Sequence, residues 1–181
     1  MVRSHGIEDL AFLFLLNAIC VAIPGLSNGI FCVLNGILYG PAWGFIVNWI
    51  SDILGQIILM ELLQKLYDMK KMSNSKVYKL LTGLKSPMLG LIIGYMIPFI
   101  PSATVSYVNI MINKEQRKKQ LIPIIIGVIP FAYLYAYGGD SILHLDGTRL
   151  IKVVISFVVI ALIAVAILLS LRAIKKRTKK A

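Results

Sequence analysis

Long apolar blocks separated by short basic stretches organise this chain. Crossing a hydrocarbon core takes about 20 apolar residues as a helix. Three blocks meet that requirement: Ala42 to Leu63, interrupted by Asp52; the shorter Leu121 to Tyr137, with Pro123 and Pro130; and Val153 to Leu171, "VVISFVVIALIAVAILLSL". Two more blocks have the wrong length. Leu10 to Tyr39 is too long for one span and too short for two, and "PGLSNG" cuts it at Pro24 to Gly29. Pro87 to Asn113 is alike and is cut by "PFIPS" at Pro98 to Ser102. Each reads as two half-length helices joined by a break, the shape of a re-entrant hairpin. The pattern therefore predicts an all-α integral membrane protein with three full transmembrane helices and two opposed re-entrant helical hairpins, arranged like an inverted repeat.

Charge orients these elements. The tail "RAIKKRTKK" is basic and is expected in the cytoplasm. The last span then places "GGDSILHLDG" outside, and the preceding one returns to "KEQRKK" at Lys114 to Lys119 inside. If Pro87 to Asn113 is re-entrant, the loop with Lys65, Lys70, Lys71, Lys76, Lys79 and Lys85 is also inside, and every basic loop obeys the positive-inside rule. A full crossing there would put one basic loop outside. The first hairpin then opens outward, with Glu8 and Asp9 outside. A single tilted span over Leu10 to Tyr39, with the N-terminus inside, is the alternative. Glu8 and Asp9 precede the first apolar block where a secretory signal has positive charge, so that block is read as part of the mature protein.

Composition agrees. The 181 residues are 58% hydrophobic, against roughly 45–50% in soluble domains, and the mean hydropathy is +0.82. The net charge of +11 would suggest nucleic acid in a soluble protein, but here it sits in the loops, so no nucleic-acid partner is expected. Cys20 and Cys32 lie in apolar segments without metal-ligand spacing, and His5 and His144 are isolated. No metal, no cofactor and no catalytic constellation is expected, so the chain does not read as an enzyme.

Broken backbone at membrane depth is tolerated where protein or a water-filled cavity satisfies it, and transporter sites form where such broken helices meet. The substrate-binding candidates are therefore Pro24, Gly25, Ser27 and Asn28 at the first break and Tyr95, Pro98, Pro101, Ser102 and Thr104 at the second. Ser27 or Asn28, and Ser102, are expected N-caps, so each return half-helix would aim free N–H groups inward, a setting that suits an anionic headgroup. Asp52 lies roughly 15 Å into its span at 1.5 Å per residue; an intramembrane acid is a functional candidate, either a proton or cation site or an acid hydrogen-bonded to the breaks. Glu61 is expected to pair with Lys65 at i,i+4. Gly36, Gly40 and Gly44, and Gly90 and Gly94, are expected to serve close helix packing, and Tyr133, Tyr135 and Tyr137 an outer aromatic belt.

The segments "FCVLNGILYGPAWGFIVNWISDILGQ" and "YMIPFIPSATVSYVNIMINKEQRKKQLIPIIIGVIPFAYLYAYGG" resemble the two halves of the VTT-domain superfamily, the DedA-like or SNARE-associated Golgi proteins. In the second, Pro98 and Pro101 form the hairpin motif, and Gly127, Pro130, Tyr135 and Gly138 the span that follows. The resemblance runs from about Leu10 to Ser141, with the Golgi/TVP-type bacterial members nearest. It implies opposed re-entrant hairpins and movement of phospholipids or polyprenyl-phosphate carriers across membranes, in some members linked to the proton gradient. Tyr95 stands where the family often has Arg, no basic residue follows the second hairpin before Lys114, and Gln56 replaces an acid after Gly55. These departures weigh against proton coupling and against binding by a buried Arg; Asp52, as an intramembrane acid, and Gln56, at the position of the family's acid, are the coupling candidates.

The expected organisation is thus a membrane domain over 1–141, an outer loop and C-terminal helix over 142–171, and a basic tail over 172–181, in the cell membrane with the C-terminus cytoplasmic. The expected function is a lipid transporter or scramblase-like protein. A small-ion or small-solute permease using Asp52 and a non-transporting scaffold are the alternatives. Membrane lipids are the expected partners, with anionic phospholipid at the basic tail (Lys175 to Lys180); a homo-oligomer is compatible with the sequence.

Overall fold

The computed structural model describes residues 6–66, 76–83, 86–97, 100–113 and 116–178. Pro98, Lys70, Lys71, Lys85, Lys114, Lys179 and Lys180 lie outside them, as does His5. The described residues are mostly helical, without a strand among them. In chain order the helices are α1 (Ile7–Ala22), α2 (Gly29–Leu66), α3 (Lys76–Thr82), α4 (Pro87–Tyr95), α5 (Ser102–Ile112), α6 (Arg117–Gly127), α7 (Ile129–Leu143) and α8 (Gly147–Thr178). Three stretches are long and apolar enough to cross a membrane: Gly29–Leu66, Arg117–Leu143 and Gly147–Ser170. The middle one joins α6 to α7 through Val128; Pro130, which has no N–H to give and crowds the carbonyl four residues back, accounts for the interruption.

Helix α2 is two helices in one. Gly40 has φ 78° and ψ 178°, a left-handed φ that favours glycine, and Pro41 restarts the helix as a first-turn residue. The chain thus turns at Gly40 into a first limb, 29–39, and a second limb, 41–66. Two compact units contain the helices: Met1–Leu59 with Val128–Val158, and Met60–Gly127 with Val159–Ala181.

In the first unit the two limbs of α2 pack antiparallel about Gly40. A Cβ on Gly44 would meet the Asn35 carbonyl oxygen at 2.7 Å and the Gly36 Cα at 2.9 Å. Further from the turn, Asn48 reaches the Cys32 carbonyl and Asp52 accepts from Asn28. Helix α1 lies beside the second limb in the same direction, with Asn17 bonded to Ser51 and Asp52 and Gly55 against the Ala18 carbonyl and Val21. The Gly40 turn and the start of α1 are therefore at one end of this bundle. The 23–28 break is level with Asp52 to Gly55, roughly 17 Å along the second limb at 1.5 Å per residue. Helix α7 closes the unit. Gly36 meets the Ala136 backbone, and Gly139 meets the Val33 carbonyl. The glycine expectation holds for Gly36 and Gly44, whereas Gly40 makes the turn.

The second unit is built on short helices. Leu81 of α3 is fully buried and packs with Val105 over Gly94 of α4. Gly127 of α6 sits on the Ile92 carbonyl and Tyr95. Ile93 and Ile97 cluster with Ala164 and Leu168 of α8. Glu61 pairs with Arg117 at 2.9 Å, not with Lys65 one turn on; Arg117 opens α6 within the same unit, and its planar guanidinium competes better for a carboxylate than a flexible ammonium does.

Candidate functional site

The most concentrated buried polar group of the first unit surrounds Asp52. Asn17, Cys32, Asn35, Asn48 and Ser51 have no exposed surface, and Asp52 and Gln56 are 8% and 3% exposed. Asn17 Nδ2 donates to Ser51 Oγ and to Asp52 Oδ1 at 3.2 Å. Asn28 Nδ2 donates to the same Oδ1 at 2.7 Å and to Cys32 Sγ at 3.4 Å. The Cys32 thiol in turn donates to Asn17 Oδ1. Ser51 Oγ donates back to the Val47 and Asn48 carbonyls. Beside this group, Asn48 Nδ2 donates to the Cys32 carbonyl at 3.0 Å and the Ala132 carbonyl at 3.3 Å, while its Oδ1 accepts from Asn35 Nδ2 at 2.8 Å. Asn48 therefore ties both limbs of α2 to α7. Asn35 Oδ1 remains buried without a partner.

A carboxylate removed from water is costly unless it is paired and hydrogen-bonded. Asp52 has two amide donors and no ion pair with any described Lys, Arg or His. The amides lower that cost, but they bring no positive charge to the carboxyl. Among the described residues, no group of His, Cys, Asp and Glu could hold a metal ion.

The candidates at the breaks divide. Pro24, Gly25 and Ser27 are exposed, and Asn28 is half-buried. Asn28 does begin α2, its carbonyl accepting from the Cys32 N–H, but its side chain reaches Asp52 instead of capping the helix. At the second break the N-cap is Pro101, not Ser102; the Pro101 carbonyl takes the Thr104 and Val105 N–H groups. Ser102 is exposed and Thr104 half-buried. Tyr95 is buried and its hydroxyl is 2.7 Å from Ser106 Oγ. Further along α5, Asn109 donates to the Gln120 carbonyl, Asn113 to Asn109, and Gln120 to the Asn113 carbonyl. Asp52 and Asn28 are thus brought together, and Gln56 lies one turn beyond Asp52. Tyr95 belongs to the polar seam of the second unit.

Sequence reasoning missed Asn17, Asn48 and Ser51, and the polar roles of Cys32 and Asn35. A signal was present: Asn28, Cys32 and Asn35 recur at four and three residues, and Asn48, Asp52 and Gln56 at four, each marking one face of an otherwise apolar helix. The tyrosines also divide. Tyr133 and Tyr137 stack, with Phe45 edge-on to Tyr133, while Tyr135 joins Phe131 and Phe157.

Long apolar helices and a buried, cation-free acid beside a helix break define a multi-pass membrane protein with a polar site among its helices. The model of the VTT domain matches residues 23–141, and the chain belongs to that family, the DedA/SNARE-associated Golgi proteins. No curated protein and no solved structure matches the chain. DedA proteins are membrane proteins proposed as transporters or flippases.

Proposed function

We propose that this protein is a lipid transporter of the cytoplasmic membrane, with its C-terminus cytoplasmic, that passes the headgroup of a phospholipid or polyprenyl-phosphate lipid across the hydrocarbon layer. The observation that carries this reading is the Asp52 group. A chain that keeps a carboxyl among apolar helices, held by two neutral amides, offers a polar foothold where a lipid headgroup would otherwise meet nothing but hydrocarbon.

A reading of 10–39 and 87–113 as two re-entrant hairpins supports it. Helices α1, α4 and α5 have 16, 9 and 11 residues, fewer than the roughly 20 a span needs. The start of α1 and the Gly40 turn share an end of the first unit, as a hairpin that enters and leaves on one side requires. The hairpins are also alike: Ile23-Pro24 precedes Asn35 by the same interval at which Ile97-Pro98 precedes Asn109. Each asparagine is buried and donates to the helix after the next turn. Loop charge orients the two oppositely. Ser102 and Thr104 are the corresponding polar positions at the start of α5.

The test is headgroup accessibility in proteoliposomes carrying labelled phospholipid or polyprenyl phosphate in both leaflets, challenged with an impermeant quencher. Protein-dependent loss of the protected pool is expected, and it should be lost in Asp52→Asn and in Ser102→Leu with Thr104→Leu. A protected pool that persists with folded, inserted wild-type protein refutes lipid movement. The cation-free Asp52 favours one second reading, a small-ion permease, for which the same vesicles would show Asp52-dependent ion flux without lipid movement.

A further inference from the structure

We propose that the Asp52 site recognises a primary or quaternary ammonium group, so that the lipid taken up at the first hairpin is a zwitterionic aminophospholipid and not a headgroup carrying phosphate alone. This rests on the lipid-transport reading and narrows it to a substrate class.

Two independent features point to that ligand. The first is the division of labour within the carboxylate. Both amides bond to Oδ1; Oδ2 has no hydrogen-bond partner among the described residues. Asp52 retains 8% exposure, and Oδ2 is not among the sealed, partnerless polar atoms of the interior. One carboxylate oxygen is thus held by the protein, and the other has no donor among the described residues. An inorganic cation would need several converging oxygens, whereas Asn17 and Asn28 turn their N–H groups toward the acid. An ammonium needs one strong acceptor.

The second feature is aromatic. Tyr135 of α7 stands against the start of α2, next to the Asn28 that bonds to Asp52. Its ring edge is 3.5 Å from where a Cβ on Gly29 would sit, beside Asn28. Phe157 stands edge-on to it at 5.3 Å, Phe131 is tilted to it at 6.4 Å, and these two are 4.8 Å apart. Tyr135 is half-buried, and its hydroxyl has no partner among the described residues. A carboxylate with an aromatic wall beside it is the chemistry that binds alkylammonium groups. The phosphate of the same headgroup would fall toward the start of α2, where the N–H groups of the first turn are free of helix partners. A phosphate without an amine would have the same N–H groups but would face the repulsion of Asp52 with no ammonium to offset it.

Lipids labelled on the acyl chain, which keep the headgroup intact, distinguish the outcomes in proteoliposomes. Phosphatidylethanolamine and phosphatidylcholine should move at least about tenfold faster than phosphatidylglycerol, phosphatidic acid or polyprenyl phosphate. Asp52→Asn should lower the first two to the rate of the others. Tyr135→Leu, which leaves the carboxylate intact, should lower phosphatidylcholine in particular, with folding checked by thermal unfolding and gel filtration. Equal rates for all lipids in wild type, or an equal slowing of all by Asp52→Asn, would overturn ammonium recognition and leave lipid transport standing. If no lipid moves, lipid transport falls, and free ethanolamine and choline decide the site: Asp52-dependent thermal stabilisation assigns it to a soluble amine, and its absence removes the ammonium site too.

Discussion

Gly138 and Gly139 are neighbours on α7, yet a methyl group should have opposite effects on them. A Cβ on Gly138 would meet nothing closer than Val153 Cγ1 at 3.4 Å, an ordinary contact with a side chain. A Cβ on Gly139 would run into the Val33 carbonyl oxygen and stand 3.0 Å from the Ile37 nitrogen and Val33 carbon, all backbone of the first limb of α2. Ala is favoured over Gly within a helix by about 1 kcal/mol, and crowding a packed contact costs about 1–3 kcal/mol. Gly138→Ala should therefore be neutral or stabilising by up to about 1 kcal/mol. Gly139→Ala should destabilise by about 1–2 kcal/mol once the propensity gain is subtracted. Thermal or denaturant unfolding of both variants in one detergent makes the comparison, since propensity and micelle are then shared. Equal stability of the two would show that α7 and the first limb of α2 are not held backbone to backbone, and the close approach of Gly36 to Ala136 would lose its support.

Asn48→Leu should destabilise the protein by about 1–3 kcal/mol, because it leaves Asn35 Nδ2 buried without an acceptor; unfolding midpoints measure this, and an unchanged midpoint would count against the Asn48 tie. Glu61→Gln should shift stability by no more than about 1 kcal/mol, since its partner Arg117 is 79% exposed; a larger loss in the same assay would contradict a surface pairing. In a cysteine-free background, Leu145→Cys should react with an impermeant maleimide from outside whole cells and Lys118→Cys should not; the reverse pattern would overturn the orientation drawn from loop charge.

The helix boundaries were legible because breakers mark them. "PGLSNG" separates α1 from α2, and Gly40-Pro41 turns the limbs, so the blocks 10–39 and 42–63 correspond to real structural divisions. Local pairing rules were less informative. Glu61 lies one turn from Lys65, but Arg117, distant in sequence, takes it. Ser102 is a good capping residue in isolation. It follows Pro101, whose extended ψ of 127° and free carbonyl already start the helix, so Ser102 occupies the first helical position, from which a side chain cannot cap. The Asp52 group was only half legible. An acid inside an apolar block is visible in any sequence, but its donors come from α1 and the first limb, and a single Asn17 in "FLLNAIC" gives no hint of which helix it will face.

The return limbs of the two hairpins carry the same polar rhythm with different chemistry. Asn28, just before α2, with residues 32 and 35 of α2, and residues 102, 106 and 109 of α5 are spaced alike, and each set runs along one face. On α5 the seam beyond Ser102 is closed by neutral partners: Tyr95 with Ser106, and Asn109, Asn113 and Gln120 with one another and with backbone carbonyls. On α2 the matching seam faces Asp52, and its bonds leave Oδ2 and Asn35 Oδ1 without partners. A fully satisfied network resists opening, since each broken bond strands a buried group, whereas an incompletely satisfied one gains when a ligand supplies the missing donor. The repeated spacing gives two return limbs of one build; on the lipid-transport reading proposed above, the incomplete bonding at Asp52 makes the first the place to hold a headgroup, while the second ties α4, α5 and α6 together.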